Sequence, residues 1–182
     1  MSIVLIRHGL TQGNLEGRYI GCKTDEPLCE QGIAQLESLH MPEVRYVFTS
    51  PMKRCIQSAR ILYPGLRQEI VPDFRECDFG DFEGKNYAEL NGNPAYQAWI
   101  DSGGELPFPN GESRQQFAQR SVRAFQKLNL FALAGDCALA VHGGTVMAIM
   151  EACARPCGQY FDFQLKCGQA FLLHADGSYC RV

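Results

Sequence analysis

Apolar residues along this chain come in short unbroken runs, and two of the runs end in histidine and glycine. Ile3-Val4-Leu5-Ile6 leads into Arg7-His8-Gly9, and Cys137-Ala138-Leu139-Ala140-Val141 leads into His142-Gly143-Gly144. An uninterrupted apolar run suits a strand buried on both faces of a parallel sheet better than the alternation of a half-solvated strand. Arg45 to Thr49 and Gln68 to Val71 predict two further strands, the second stopped by Pro72. Phe171-Leu172-Leu173 and Tyr179 to Val182 around Asp176-Gly177 predict a hairpin closing one edge of the sheet.

Between these runs the apolar spacing is helical. Ile33, Leu36 and Leu39 share a face over Glu30–Leu39; Met52, Cys55, Ile56, Ala59 and Leu62 share another, with Ser50-Pro51 read as N-cap and first helical residue. Ser113 caps a third helix with Phe117, Val122, Phe125 and Leu128 inward, and Arg114, Arg120, Arg123 and Lys127 are read as its solvated face. A fourth runs through Val146, Ile149 and Met150. Thr11–Leu28 and the acidic stretch Arg75–Gly84 read as loops, and Lys85–Gly111 mixes glycine and proline with short helical pieces such as Ala95–Ile100. The expected class is α/β: a mostly parallel central sheet with helices on both faces, and a small helical cap (roughly 76–135) inserted between the middle strands of a single 1–182 domain.

Composition narrows the partners. A chain of 182 residues, 46% hydrophobic and 20% charged, is ordinary for one soluble domain. Its net charge of −3 argues against a generic nucleic-acid binder, so an anionic ligand must be held by a few local arginines. The nine cysteines include no C-x-x-C pair and no grouping with zinc spacing, which reads as reduced thiols with no metal site. The N-terminus opens directly on a strand and no apolar run approaches the ~20 residues of a membrane span, so a cytoplasmic protein without membrane contact is expected.

In parallel sheets ligands bind at the carboxyl ends of strands. His8 and His142 each end an apolar strand, and Arg7 and Arg54 can reach the same edge; His40 and His174 have no such setting. Two imidazoles and two guanidiniums, with no serine or cysteine in a nucleophile elbow, describe a pocket for a dianion such as a phosphoryl group.

L-I-R-H-G-L-T-Q-G-N at Leu5–Asn14 resembles the signature of the histidine phosphatase superfamily, in its phosphoglycerate-mutase-like branch. Thr49–Ala59, Arg75–Gly84, Pro109–Ser113 and Val141–Gly144 match further blocks of that family in order, over nearly the whole chain. The resemblance implies a phosphomonoesterase with His8 as nucleophile, forming a phosphohistidine that water hydrolyses. It implies that Arg7, Arg54 and His142 clamp the phosphoryl oxygens, with Thr11, Asn14 and the Gly143 N–H as neutral donors. Glu76 matches the family's proton donor, with Asp78 in reserve, and no metal or other cofactor is implied. Leu10, Cys22, Cys29 and Cys55 depart from commoner residue types, all outside the catalytic set.

Gly17–Leu28, which contains Arg18 and Gly21, is similar to a substrate loop of α-ribazole phosphatases, enzymes of cobalamin nucleotide-loop assembly. Phosphoglycerate mutases share part of that loop but carry a longer segment with paired arginines after the glutamate block. Here Lys85 is the only basic residue from Lys85 to Gly111. The expectation is therefore a phosphatase of a small phosphorylated metabolite, α-ribazole-5′-phosphate among the candidates. A mutase or sugar-bisphosphate phosphatase is the second reading and a non-catalytic phosphate-binding module a remote third; a homodimer is left open.

Overall fold

The computed structural model describes residues 1–182. Strands β1 (Ser2–Arg7), β2 (Tyr46–Thr49), β3 (Gln68–Ile70), β4 (Cys137–Val141), β5 (Ala170–His174) and β6 (Tyr179–Arg181) form one sheet of order β3-β2-β4-β1-β5-β6. The first four are mutually parallel, and the β5-β6 hairpin adds two antiparallel strands on the β1 side.

The centre of the sheet follows from its sequence. Ile3, Val4, Leu5 and Ile6 are fully buried, as are all five residues of β4. Full burial of an Ile or Leu side chain is worth about 2 kcal/mol, so these two segments gain most by lying innermost.

Alternate residues feed two cores. Ile3, Leu5, Leu139 and Val141 pack with α6 (Arg114–Leu128) and α7 (Gly143–Cys153); Val4, Ile6, Ala138 and Ala140 face α3 (Lys53–Leu62). Helices therefore cover both faces, with α2 (Glu30–Glu37) packed on α3. Of the three apolar residues expected inward on α2 only Leu36 is buried; Ile33 and Leu39 are exposed, and the helix stops at Glu37.

Two boundaries differ from expectation. Helix α3 starts at Lys53 with Met52 at the N-cap, because the Ser50 hydroxyl is committed to a histidine and only weakly to the Met52 N–H. The Thr11–Leu28 loop contains one helical turn, α1 (Gln12–Leu15), closed by a reciprocal box between Thr11 and Asn14.

Between β3 and β4 the chain makes α4 (Tyr87–Leu90) and α5 (Pro94–Asp101) around a separate aromatic cluster containing Phe82, Leu90, Phe108 and Phe117. Helix α6 joins both bodies: Phe117 belongs to that cluster, and Ala124 and Phe125 to the main core. The cap drawn at 76–135 thus shares its last helix with the sheet. The reading of Arg120 as a solvated residue is wrong: its side chain is only 13% exposed and ion-paired to Glu112.

Candidate active site

The parallel register of β1 and β4 sets Arg7 beside Val141, so the next residue on each strand is a histidine. His8 and His142 are buried, with ring centroids 5.3 Å apart. Arg54, in the first turn of α3, is almost wholly buried at the same sheet edge and donates to the carbonyls of Thr24, Ile20 and Gly21. Arg7 donates from Nη1 to Leu165 O, while its buried Nε has no partner.

Hydrogen bonds fix the role open to each imidazole nitrogen. His8 Nδ1 lies 2.7 Å from the carbonyl of Gly9. A carbonyl only accepts, so Nδ1 carries the proton and Nε2 keeps its lone pair. On His142, Nε2 lies 2.8 Å from Ser50 Oγ and Nδ1 lies 3.4 Å from Glu76 Oε2. Ser50 Oγ accepts from the Met52 N–H and has its own proton free to donate to Nε2, in the tautomer that puts the His142 proton on Nδ1 facing the site.

Burial sets the charges. It holds His8 and His142 well below the ordinary imidazole value, helped in both cases by the Arg54 guanidinium, so both rings are neutral. Glu76 is pushed up by burial, against the pull of Arg54 and the Cys77 N–H. Asp78 is different: burial lifts it, but the Lys23 ammonium at 2.8 Å and the Gly80 N–H outweigh that and hold it below the usual carboxylate value.

Other expected contacts are distributed unevenly. Gly143 opens α7, whose first N–H groups have no intrahelical partner and suit an anion. Asn14 and Thr11 cap one another, with the Asn14 amide nitrogen uncommitted. Arg18 is spent on Glu16, Glu89 and the Gly84 carbonyl, and the Gly21 N–H on Glu83. Those two residues shape the loop rather than offering donors.

Two serines hold the site in ways the sequence does not show, Ser50 being legible there only as a helix cap. Ser50 orients His142, and Ser58 accepts from the Gly9 N–H at 2.9 Å while donating to Arg54 O, strapping the His8 turn to α3. Hydroxyls within a helix-start pattern carry no signal of a distant partner.

His8, Glu76 and His142 also present three ligand atoms within 4.8 Å of one another. The two adjacent guanidiniums suit this cluster to an anion rather than a cation. Beside it opens a cleft of about 600 Å³ lined by Tyr19, Phe79, Trp99, Phe108, Tyr160 and Phe161, with Arg7 and Glu76 at its inner end.

A free imidazole nitrogen, two guanidiniums, a helix N-terminus and a carboxyl of raised pKa, at the carboxyl edge of a mostly parallel sheet, define a phosphoryl-transfer enzyme. Residues 3–182 match the model of the histidine phosphatase superfamily (branch 1), and the chain belongs to that family; it is a hydrolase of phosphomonoesters. It is 30% identical over 178 residues to the adenosylcobalamin/alpha-ribazole phosphatase of Salmonella typhimurium, covering 92% of this chain and 87% of that protein. It is 33% identical over 162 residues to a 2,3-bisphosphoglycerate-dependent phosphoglycerate mutase of Gloeobacter violaceus, covering 81% and 73%. The alpha-ribazole phosphatase of Shigella flexneri has the same fold, with a TM-score of 0.84 and 26% identity over 100% of this chain and 95% of that one. No helix is long and apolar enough to cross a membrane.

Proposed function

We propose that this phosphatase acts on a small metabolite whose organic half is flat and apolar, α-ribazole-5′-phosphate in cobalamin biosynthesis. The observation that carries the reading is the aromatic wall beside the charged cluster. Aromatic rings bury flat apolar groups at low entropic cost, whereas a second phosphate or a carboxylate needs a free cation. The one cation of the outer cleft, Arg114, is ion-paired with Glu105 and lies over the rings of Tyr160 and Phe161. Lys85, the only basic residue of the cap segment before it, donates to the carbonyl of Asp81. This disfavours phosphoglycerates and sugar bisphosphates.

In the proposed mechanism His8 Nε2 attacks phosphorus in line as the bond to the ester oxygen breaks. Arg7, Arg54, His142 Nδ1–H and the Gly143 N–H bind the equatorial oxygens, where charge collects in the transition state. Glu76 gives its proton to the leaving oxygen, then takes one from the water that attacks the phosphohistidine. The cations present supply the charge stabilisation, so no metal is invoked. The test is kcat/KM on α-ribazole-5′-phosphate against 3-phosphoglycerate and fructose 1,6-bisphosphate. A preference of at least about a hundredfold for the first is expected; equal rates, or phosphate transfer between phosphoglycerates, would overturn the reading.

A further inference from the structure

Glu76 sits on a segment that no regular element supports: residues 75–79 belong to neither helix nor strand. One side chain from α6 ties together the segment's N-terminal half, alongside the Cys22 N–H on the Cys77 carbonyl and the Lys23 ammonium on Asp78. Arg120 grips both oxygens of Glu112, from Nε at 3.0 Å and Nη2 at 2.7 Å. Its Nη1 donates to the carbonyls of Asp73 and Arg75 at 2.7 and 3.0 Å, and Nη2 to the carbonyl of Glu76 at 3.4 Å. A guanidinium has five N–H donors in a fixed planar fork, and these five bonds use the fork fully.

Glu112 completes the brace from the other side. Its Oε2 also accepts the Asp78 N–H at 3.0 Å, and its own N–H donates to the Asp78 carbonyl at 2.9 Å. The two backbones run so close that a Cβ on Gly111 would lie 2.4 Å from the Asp78 carbonyl oxygen. The residues on both sides of Glu76 are therefore pinned, while its carboxylate keeps only the Cys77 N–H and the contact with His142. Neither Arg120 nor Glu112 lines the cleft, so neither touches substrate there.

We propose that Arg120 and Glu112 are positioning residues whose fork holds Glu76 at the leaving-group oxygen, so that they govern proton delivery and not substrate binding. The proposal rests on Glu76 being the proton donor. A misplacement of about 1 Å in a proton donor costs on the order of a hundredfold in rate, which is the scale the brace controls.

The experiment compares Arg120→Met, Arg120→Lys, Glu112→Gln, Glu76→Gln and the Arg120→Met/Glu76→Gln double variant on an alkyl phosphate and on p-nitrophenyl phosphate. kcat/KM reports formation of the phosphoenzyme, and inhibition by inorganic phosphate reports the charged cluster. For Arg120→Met we expect kcat/KM on the alkyl ester to fall about tenfold or more, p-nitrophenyl phosphate to fall much less, and phosphate inhibition to stay within twofold. The double variant should be no slower than Glu76→Gln alone, and Arg120→Lys should not restore the rate, because a point charge cannot make the fork.

Equal losses on both esters, additive losses in the double variant, or full rate in Arg120→Lys would overturn the proposal. Should Arg120→Met fail to fold, Glu112→Gln keeps the shape and must show the same leaving-group selectivity at smaller size. If Glu76→Gln itself slows both esters equally, it is the donor assignment that fails. If Glu76→Gln is selective and the Arg120 and Glu112 variants are not, only the brace fails.

Discussion

His8 and His142 meet edge to face at 70°, and each is tied back through the opposite nitrogen: His8 by Nδ1 to the Gly9 carbonyl, His142 by Nε2 to Ser50. The His8 N–H donates to Val141 O at 3.0 Å, so one sheet register fixes both rings. The atoms left over differ in character, a lone pair on His8 Nε2 and a proton on His142 Nδ1. One ring can attack phosphorus while the other donates to its oxygens.

Replacing His8 with Ala removes the attacking atom and should lower turnover by at least about a thousandfold while the far-UV circular dichroism stays unchanged. Full activity in that variant would refute a phosphohistidine route. Treatment with a chelator should leave the rate of the wild-type protein unaltered.

Ser50→Ala leaves buried His142 Nε2 with only the weaker Cys55 Sγ contact at 3.6 Å and frees the ring to take the other tautomer. We expect a loss of about 1–3 kcal/mol in stability, measured by urea unfolding. Inhibition by phosphate should weaken in parallel, since Nδ1 no longer carries a fixed proton.

The pH profile follows from two opposite shifts. His8 must be neutral to attack, and its lowered pKa puts the acid limb of kcat/KM below the ordinary imidazole value. Glu76 must be protonated to assist departure, and its raised pKa puts the alkaline limb above the ordinary carboxylate value. Glu76→Gln should abolish the alkaline limb on an alkyl ester. An acid limb at the ordinary imidazole pKa would contradict the burial of His8.

Stability should carry the same signature. A histidine whose pKa is lowered in the fold binds fewer protons folded than unfolded, so stability is lost as pH falls below the unfolded value, about 6.5. His8→Gln should therefore lose less stability between about pH 7 and pH 5 than the wild type, as read by denaturant midpoints at each pH.

Phe161 lines the cleft and is 57% exposed, so its truncation costs little in folding. Phe161→Ala should raise KM for an aromatic phosphomonoester several-fold, with phosphate inhibition unchanged. An unchanged KM would show that the organic group lies elsewhere.

The two strands that carry the histidines were legible because they are apolar from end to end, a pattern that only an interior position accommodates. Glu76 is singled out by its motif and not by its setting: nothing in R-E-C-D-F-G-D says which acid is buried. Arg120 was misread because helical spacing sorts residues by face and cannot see a loop folding back onto that face. Ser50 reads only as a helix cap and Ser58 carries no signal for the same reason, since their partners lie 92 and 49 residues away in the chain.

Arg7, His8, His142 and Arg54 come from strand ends and a helix start and Glu76 from the irregular 75–79 segment, whereas the aromatic wall comes from Tyr19, from the cap and from the Tyr160–Phe163 turn that follows α7. The histidines and arginines thus lie on other stretches of chain than most of the aromatic wall, and only the segment from Glu76 to Phe79 serves both. Exchange of outer-wall residues such as Trp99 or Phe161, which lie away from Glu76 in the chain, can reshape the cleft without disturbing the reacting atoms, which makes this fold a scaffold for divergence of substrate at constant mechanism.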